Sequence, residues 1–339
     1  MTAINLALVG AGGPVGEAVI ALLEAREVPI DKLFPLAEPG ATGHKVGFRG
    51  KYLTVQELAD FDFSQVQAAL FAVTPEVAEE YAPQAAAAGC VVVDLSGRFA
   101  GEEDVPLVMP ELNPSAIADY SQRNIIASPG SATVLLWTAL KPLYDAVGIE
   151  RINVVALQAV SEDGKGAIDE LASQTVALLN MRETHNEIYP KRIAFNVLPQ
   201  VGDVEASGYT RGEMKLLWES QKLLADSAMV VNATAVCVPV FHGHSLVVHM
   251  ETSAKLDARQ ARALLEAAPG VAVVDSPERD GYPTAVTEAA GSDDVFVGRI
   301  REDISHPRGL DLWVVADNIR RGSALNGVQI LEILVKEYM

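Results

Sequence analysis

Apolar and polar positions follow two different rhythms along the chain. In the first part, short apolar runs at 4–9, 33–37, 68–73 and 90–95 alternate with stretches of helical spacing at 17–26 and 76–88. Short strands separated in this way by helices predict a parallel, doubly wound sheet. A further apolar run at 124–127 ends in Ser128-Pro129-Gly130-Ser131, and another apolar run begins straight after it. The chain must therefore turn sharply from a buried strand into a helix, with Ser131 at the helix start. After Gly148 the rhythm changes: runs at 152–160, 194–198, 235–241, 245–250, 294–300 and 312–316 read as strands, with helices at about 167–182 and 212–226. Strands with long excursions and helices gathered elsewhere predict an α+β domain. An amphipathic helix ending at Met339 closes the chain and is expected to return to the first domain.

Chemistry enters at the ends of these elements. The first strand meets Gly10-Ala11-Gly12-Gly13-Pro14-Val15-Gly16. Bare backbone at Gly10, Gly13 and Gly16 lets a dinucleotide pyrophosphate reach the helix N-terminus at Pro14 and Val15, although a tight strand-to-helix turn needs glycines too. Glu38 follows the second strand. An acidic side chain there accepts hydrogen bonds from a ribose and repels a 2′-phosphate, favouring NAD over NADP, unless it is an ordinary loop residue. Ligands on doubly wound sheets lie beyond the carboxyl ends of the strands, which gathers the glycine turn, Thr74-Pro75, Ser96-Gly97-Arg98 and Ser128 to Ser131 along one edge. Arg98 is a candidate phosphate or carboxylate binder, or a solvated loop charge. Ser131 is either a helix cap or a group projecting into a cleft where unpaired N–H groups favour developing negative charge. Farther on, Gln158 ends a strand beside Ser161-Glu162-Asp163-Gly164-Lys165-Gly166, and His242-Gly243-His244 precedes another. One of these histidines suits acid/base work near neutral pH; as a metal pair they lack a third ligand.

Composition narrows the picture. The 339 residues are 49% hydrophobic, enough for two packed cores, and the net charge of −19 (26 Lys+Arg, 45 Asp+Glu) is spread along the chain. A chain without a basic face makes nucleic acid an unsuitable partner. The N-terminus has no basic leader and no apolar run is long enough to span a bilayer, so the expected compartment is the cytoplasm, with no membrane partner. Cys90 and Cys237 sit inside apolar runs, as free buried thiols do.

Taken together, the glycine turn, Val93-Asp94-Leu95-Ser96, Val105-Pro106-Leu107-Val108-Met109-Pro110-Glu111-Leu112-Asn113, Gln158-Ala159-Val160-Ser161, residues 239–245, Val297-Gly298-Arg299-Ile300-Arg301 and residues 312–321 resemble the aspartate-semialdehyde dehydrogenase family. The resemblance runs nearly end to end and in order. It implies an α/β fold: a Rossmann-like dinucleotide-binding domain at 1–130, an α+β catalytic and dimerisation domain at 131–318, and a C-terminal helix at 319–339. It also implies a homodimer and a place in amino-acid biosynthesis. In that family a Cys thiolate attacks the aldehyde and a hydride passes to NADP. Inorganic phosphate then releases the thioester as an acyl phosphate, with a His as acid/base.

Position by position, the resemblance places Ser131 where the nucleophilic Cys belongs, Gln158 as orienter and His244 as acid/base. The family's carboxylate-gripping Arg falls on Cys237. Its phosphate-binding Arg falls on Ala100, with Arg98 two positions earlier as a substitute. Of its Glu-Glu-x-Lys element, Gly212 replaces the first acid while Glu213 and Lys215 remain as substrate or phosphate contacts. The 2′-phosphate ligands fall on Glu38 and Gly40, and Asn326 lies in the segment near the nicotinamide. These replacements point to the Usg-type paralogous branch, which is similar to the dehydrogenase without its catalytic Cys. The expected function is a dimeric NAD(P)-binding scaffold, with NAD favoured, that lacks the parent activity. Two alternatives stand beside it: an NAD-dependent oxidoreductase for another small aldehyde or acid, and a Ser131/His244 hydrolase, which needs a base within about 3 Å of the hydroxyl. Cys237 could act near the substrate if it faces the cleft, or be a buried inert thiol.

Overall fold

The first apolar run forms β1 (Ile4–Val9), buried at every position except Asn5, in a computed structural model that describes residues 3–38 and 40–339. The glycine turn follows and leads into α1 (Pro14–Ala25) and β2 (Ile30–Ala37). A hairpin of β3 (Lys45–Phe48) and β4 (Lys51–Thr54) comes next, then β5 (Gln56–Glu57), β6 (Ala68–Phe71), α2 (Pro75–Ala87), β7 (Val91–Asp94) and β8 (Ile125–Ala127). Among the described residues these strands build one sheet in the order β5-β2-β1-β6-β7-β8, with every neighbouring pair parallel. β6 and β7 are buried at every residue, as a parallel sheet covered on both faces requires. Chain order reverses between β1 and β6, the switch point at which such sheets bind their ligands.

α3 (Ser131–Val147) opens the second part and is buried at each of its first ten residues. β9 (Ile149–Ala159), α4 (Gly164–Leu179), α5 (Arg211–Leu224), β10 (Val230–Val238), β11 (His244–Thr252), α6 (Ala258–Glu266), β12 (Val271–Val273), β13 (Val295–Glu302) and β14 (Gly309–Ala316) follow, and α7 (Asn326–Glu337) ends the chain. The second sheet runs β10-β9-β11-β14-β13-β12, mixed parallel and antiparallel. The chain divides into two compact units, Met1–Gly130 with Ser323–Met339, and Ser131–Gly322. Val328, Ile330, Leu331 and Leu334 of α7 share a buried cluster with Leu8, Val19, Leu23 and Val93. No helix among the described residues is long and apolar enough to cross a membrane.

Two local expectations change, and a hairpin appears where none was expected. Residues 194–198 are not a strand: Gln174 Oε1 accepts the amides of Ile193 and Ala194 at 3.1 Å, Phe195 has a left-handed backbone (φ 56°), and only Leu198 bridges to Cys237. β10 begins at Val230 instead of 235, because its alternating exposed positions, Asn232 and Thr234 among them, break the apolar run without breaking the strand. The β3–β4 hairpin turns through Arg49 (φ 48°) and Gly50 (φ 72°), a two-residue loop of the kind that tight hairpins use.

Candidate active site

In the first unit the chain leaves β1 at the switch point through Gly10, whose φ of 86° favours glycine. A side chain would not fit there or at Gly16: a Cβ on Gly10 would lie 2.1 Å from the Ala72 carbonyl oxygen, and one on Gly16 would lie 2.2 Å from that of Gly10. A Cβ on Gly12 would meet the His44 ring at 2.5 Å, a neighbour that sequence spacing does not reveal. No side chain caps α1 at Gly13, and Pro14 fills the first helical position. The amides of Val15 and Gly16 have no hydrogen-bond partner among the described residues, so the turn presents N–H groups to an anion. Glu38 is exposed just beyond β2. Asn326, at the start of α7, donates through Nδ2 to the Ser128 hydroxyl at 2.8 Å and the Val108 carbonyl at 3.1 Å, while its buried Oδ1 has no partner among the described residues.

In the second unit Ser131, Glu162, His244 and Asn318 meet. Ser131 Oγ donates to Glu162 Oε1 at 2.8 Å and lies 3.2 Å from His244 Nε2. His244 Nε2 is also 3.2 Å from Glu162 Oε2. On the other side of the ring the Ala159 amide donates to Nδ1 at 3.1 Å, so the neutral imidazole carries its proton on Nε2. Asn318 completes the cluster: Nδ2 donates to Glu162 Oε2 at 3.1 Å, and Oδ1 accepts from the Gly243 amide at 3.0 Å and the Ser161 hydroxyl at 3.1 Å. Ser131, His244 and Asn318 are buried, and Glu162 keeps 34% of its side chain open. Burial raises its carboxyl, but the hydrogen bond from His244, with the bonds from Ser131 and Asn318, outweighs that and holds it at about 2. Gly322 lets its backbone pass this spot, since a Cβ there would lie 2.8 Å from that of Ser131.

The structure therefore brings together Ser131 and His244 and adds Glu162 and Asn318. The acidic turn at 161–166 was visible in sequence, yet no spacing rule carries it back onto a residue 31 positions earlier. Gln158 is buried opposite Cys237 in the β9–β10 pairing and makes no hydrogen bond to Ser131 among the described residues. His242 is exposed in the turn before His244, and no group that could hold a metal ion occurs among the described residues.

Four expected ligand contacts have other work. Arg98 is held by Glu79 at 2.8 Å and Glu102 at 2.9 Å, which neutralises the charge a phosphate would need. Glu213 closes a capping box with Thr210 and accepts the Ala235 amide at 3.0 Å, tying α5 to β10. Lys215 faces Glu219 at 3.7 Å. Cys237 packs among Val160, Leu171, Ile193 and Leu198, and burial pushes its thiol up to about 11 despite the neighbouring Tyr189 hydroxyl.

Comparison with known proteins matches two family models: "Semialdehyde dehydrogenase, NAD binding domain" over residues 5–120, and "Semialdehyde dehydrogenase, dimerisation domain" over residues 140–321. An aspartate-semialdehyde dehydrogenase of Legionella pneumophila is 54% identical over 99% of this chain and 97% of its own. The chain belongs to the aspartate-semialdehyde dehydrogenase family. Among solved structures, aspartate-semialdehyde dehydrogenase II of Vibrio cholerae complexed with ASA superimposes with a TM-score of 0.97 at 48% identity over all of both chains. A probable aspartate-semialdehyde dehydrogenase of Pseudomonas aeruginosa gives 0.94 at 37%, again over all of both chains.

The fold is thus an NAD(P)-binding Rossmann-like domain joined to the α+β dimerisation domain of aspartate-semialdehyde dehydrogenases. The first unit fits the cofactor that this family implies. Its uncapped α1 start suits a pyrophosphate, and the orphan Asn326 Oδ1 is a buried acceptor in want of a donor.

Proposed function

We propose that this protein is a Usg-type member of the family: a homodimeric, cytoplasmic NAD(P)-binding protein that does not carry out the phosphate-dependent oxidation of aspartate semialdehyde. The observation that carries this reading is the Ser131–Glu162 hydrogen bond. The position of the family's thiolate holds a hydroxyl that donates its proton to a carboxylate. A hydroxyl is barely ionised near neutral pH and is a far weaker nucleophile than a thiol. A carboxylate held at about 2 is a poor proton acceptor for it. The His244 tautomer adds to this, because an Nε2 that already bears a proton has no lone pair to take one from Ser131. The same geometry weighs against a Ser131/His244 hydrolase.

What remains in place supports nucleotide binding. Gly10, Gly13, Pro14, Val15 and Gly16 would hold the pyrophosphate, Glu38 the ribose of NAD in preference to NADP, and Asn326 the nicotinamide amide. NAD, when bound, supplies a hydride acceptor. Residues 1–130 then serve as the nucleotide domain, completed by residues 323–339 with their helix α7, and residues 131–322 as the substrate and dimer domain, four residues longer than the 131–318 expected from the sequence. The retained cradle, the buried Gln158 amide and the 54% identity to a named dehydrogenase favour a second reading: an NAD-dependent oxidoreductase that acts on another small aldehyde or acid without a covalent step.

The test is an assay of nucleotide reduction with aspartate semialdehyde, phosphate and either NAD or NADP. Wild type and Ser131→Cys are both expected to give no turnover above background, since the replacements at Cys237 and Ala100 persist in the variant. Turnover by the wild type would sink the proposal. Turnover by Ser131→Cys alone would mean that the hydroxyl is the single defect.

A further inference from the structure

The short helical turn after β9, Val160–Asp163, puts a carboxylate beside Ser131, the residue read above as standing in the nucleophile's place. Glu162 meets Ser131 through one oxygen, and Asn318 and His244 through the other. Those three residues are 5%, 0% and 0% exposed, and each of their side-chain donors is already committed to an anion supplied by the chain. The adjacent Asp163 is held by the Tyr189 hydroxyl at 2.7 Å. Among the described residues neither carboxylate pairs with a Lys or Arg. Cys237, opposite Gln158, brings no positive charge to the end of this sheet.

We infer that Glu162 is a specificity-determining residue: a built-in occupant of the acyl position beside Ser131 that excludes anionic substrates and leaves the site to uncharged or cationic ligands. The inference rests on reading Ser131 as the residue in the nucleophile's place. Like charges set among buried groups are screened less than fully solvated ones, so a carboxylate-bearing substrate meets repulsion together with a loss of donors. A neutral carbonyl loses less. An ammonium gains from the exposed third of the Glu162 side chain.

A thiol placed at position 131 reports on this field. Alkylation of Ser131→Cys by iodoacetamide, which is uncharged, and by iodoacetate, which is anionic, is followed against pH by mass spectrometry. Cys90 and Cys237 stay silent in the folded protein, because burial pushes their thiols up to about 12 and about 11. With Glu162 present, the rate ratio of iodoacetate to iodoacetamide is expected to lie at least tenfold below that of free cysteine. Adding Glu162→Gln should bring that ratio to within about twofold of free cysteine and lower the pH midpoint of alkylation by about one unit or more. Glu162→Gly in the same background gives a second reading that does not depend on how Gln packs. Equal ratios and equal midpoints with and without the carboxylate would overturn the inference and leave Glu162 as a brace for His244. Aspartate-semialdehyde turnover does not enter this readout, so its failure is distinct from failure of the proposed function.

Discussion

Ser131, Glu162, His244 and Asn318 act as one hydrogen-bonded unit, and their acidity carries a stability consequence. Burial works against the Glu162 carboxylate, yet the groups around it hold the folded-state value at about 2, below the roughly 4.3 of an unfolded Glu. A lowered value means that the carboxylate's contacts stabilise the fold above about pH 4.3, and that this contribution drains away as pH falls towards about 2. Glu162→Gln is therefore expected to melt below wild type at pH 6, with the gap narrowing by pH 3.5. Scanning calorimetry at the two pH values checks it, and a gap that stays constant would contradict the linkage. Ser131 itself was legible as a helix-start residue from the apolar runs on either side of it. Its partner was not, because contact across 31 positions depends on how β9 ends and where its turn folds back.

At the level of elements, glycines and caps do separable jobs. Gly16 has no room for a methyl group, since its Cβ would sit 2.2 Å from the Gly10 carbonyl oxygen and 2.8 Å from the Ala11 Cα. Gly16→Ala should push α1 away from the turn and weaken nucleotide binding at least tenfold. Titration calorimetry is expected to find NAD bound more tightly than NADP by wild type, and neither bound well by the variant. Thr210→Ala is the contrasting case. It opens the capping box of α5 and should cost about 1 kcal/mol of stability while leaving NAD affinity unchanged. If Gly16→Ala bound NAD normally, the turn would be architecture alone. The strand, turn and helix around Gly16 could be read in sequence because each carries its own periodicity. Residues 193–198 could not, because the Gln174 side chain takes the amides that a strand would have paired.

For the molecule as a whole, the β-sheet of the second unit has one face turned outward. Its pairing register lines up Thr234, Val155, Val247 and Trp313 in a row across four strands, with Val236, Leu157, Ser245 and Val315 in the next. Val247 is 40% exposed and Val155, Leu157 and Trp313 are partly so. A row of apolar side chains on an open sheet within a dimerisation domain fits a second copy of the chain. Val247→Asp is expected to shift sedimentation from dimer to monomer while NAD affinity stays within about twofold. A variant that still sediments as wild type would place the interface elsewhere.

By itself the sequence determined the two strand-and-helix rhythms, the glycine turn, the family and the place of Ser131 at a helix start. All of these are local patterns or ordered motifs, written into neighbouring residues by period and turn chemistry. Only the tertiary structure decided which charges are already used. Arg98, Glu213 and Lys215 read as candidate ligands because a charged side chain looks the same in sequence whether it is free or paired. In the folded chain each has a partner. Glu162 is the converse: an acid of a turn with no role assigned to it until folding sets it between Ser131 and His244, where a carboxylate changes what the site can bind.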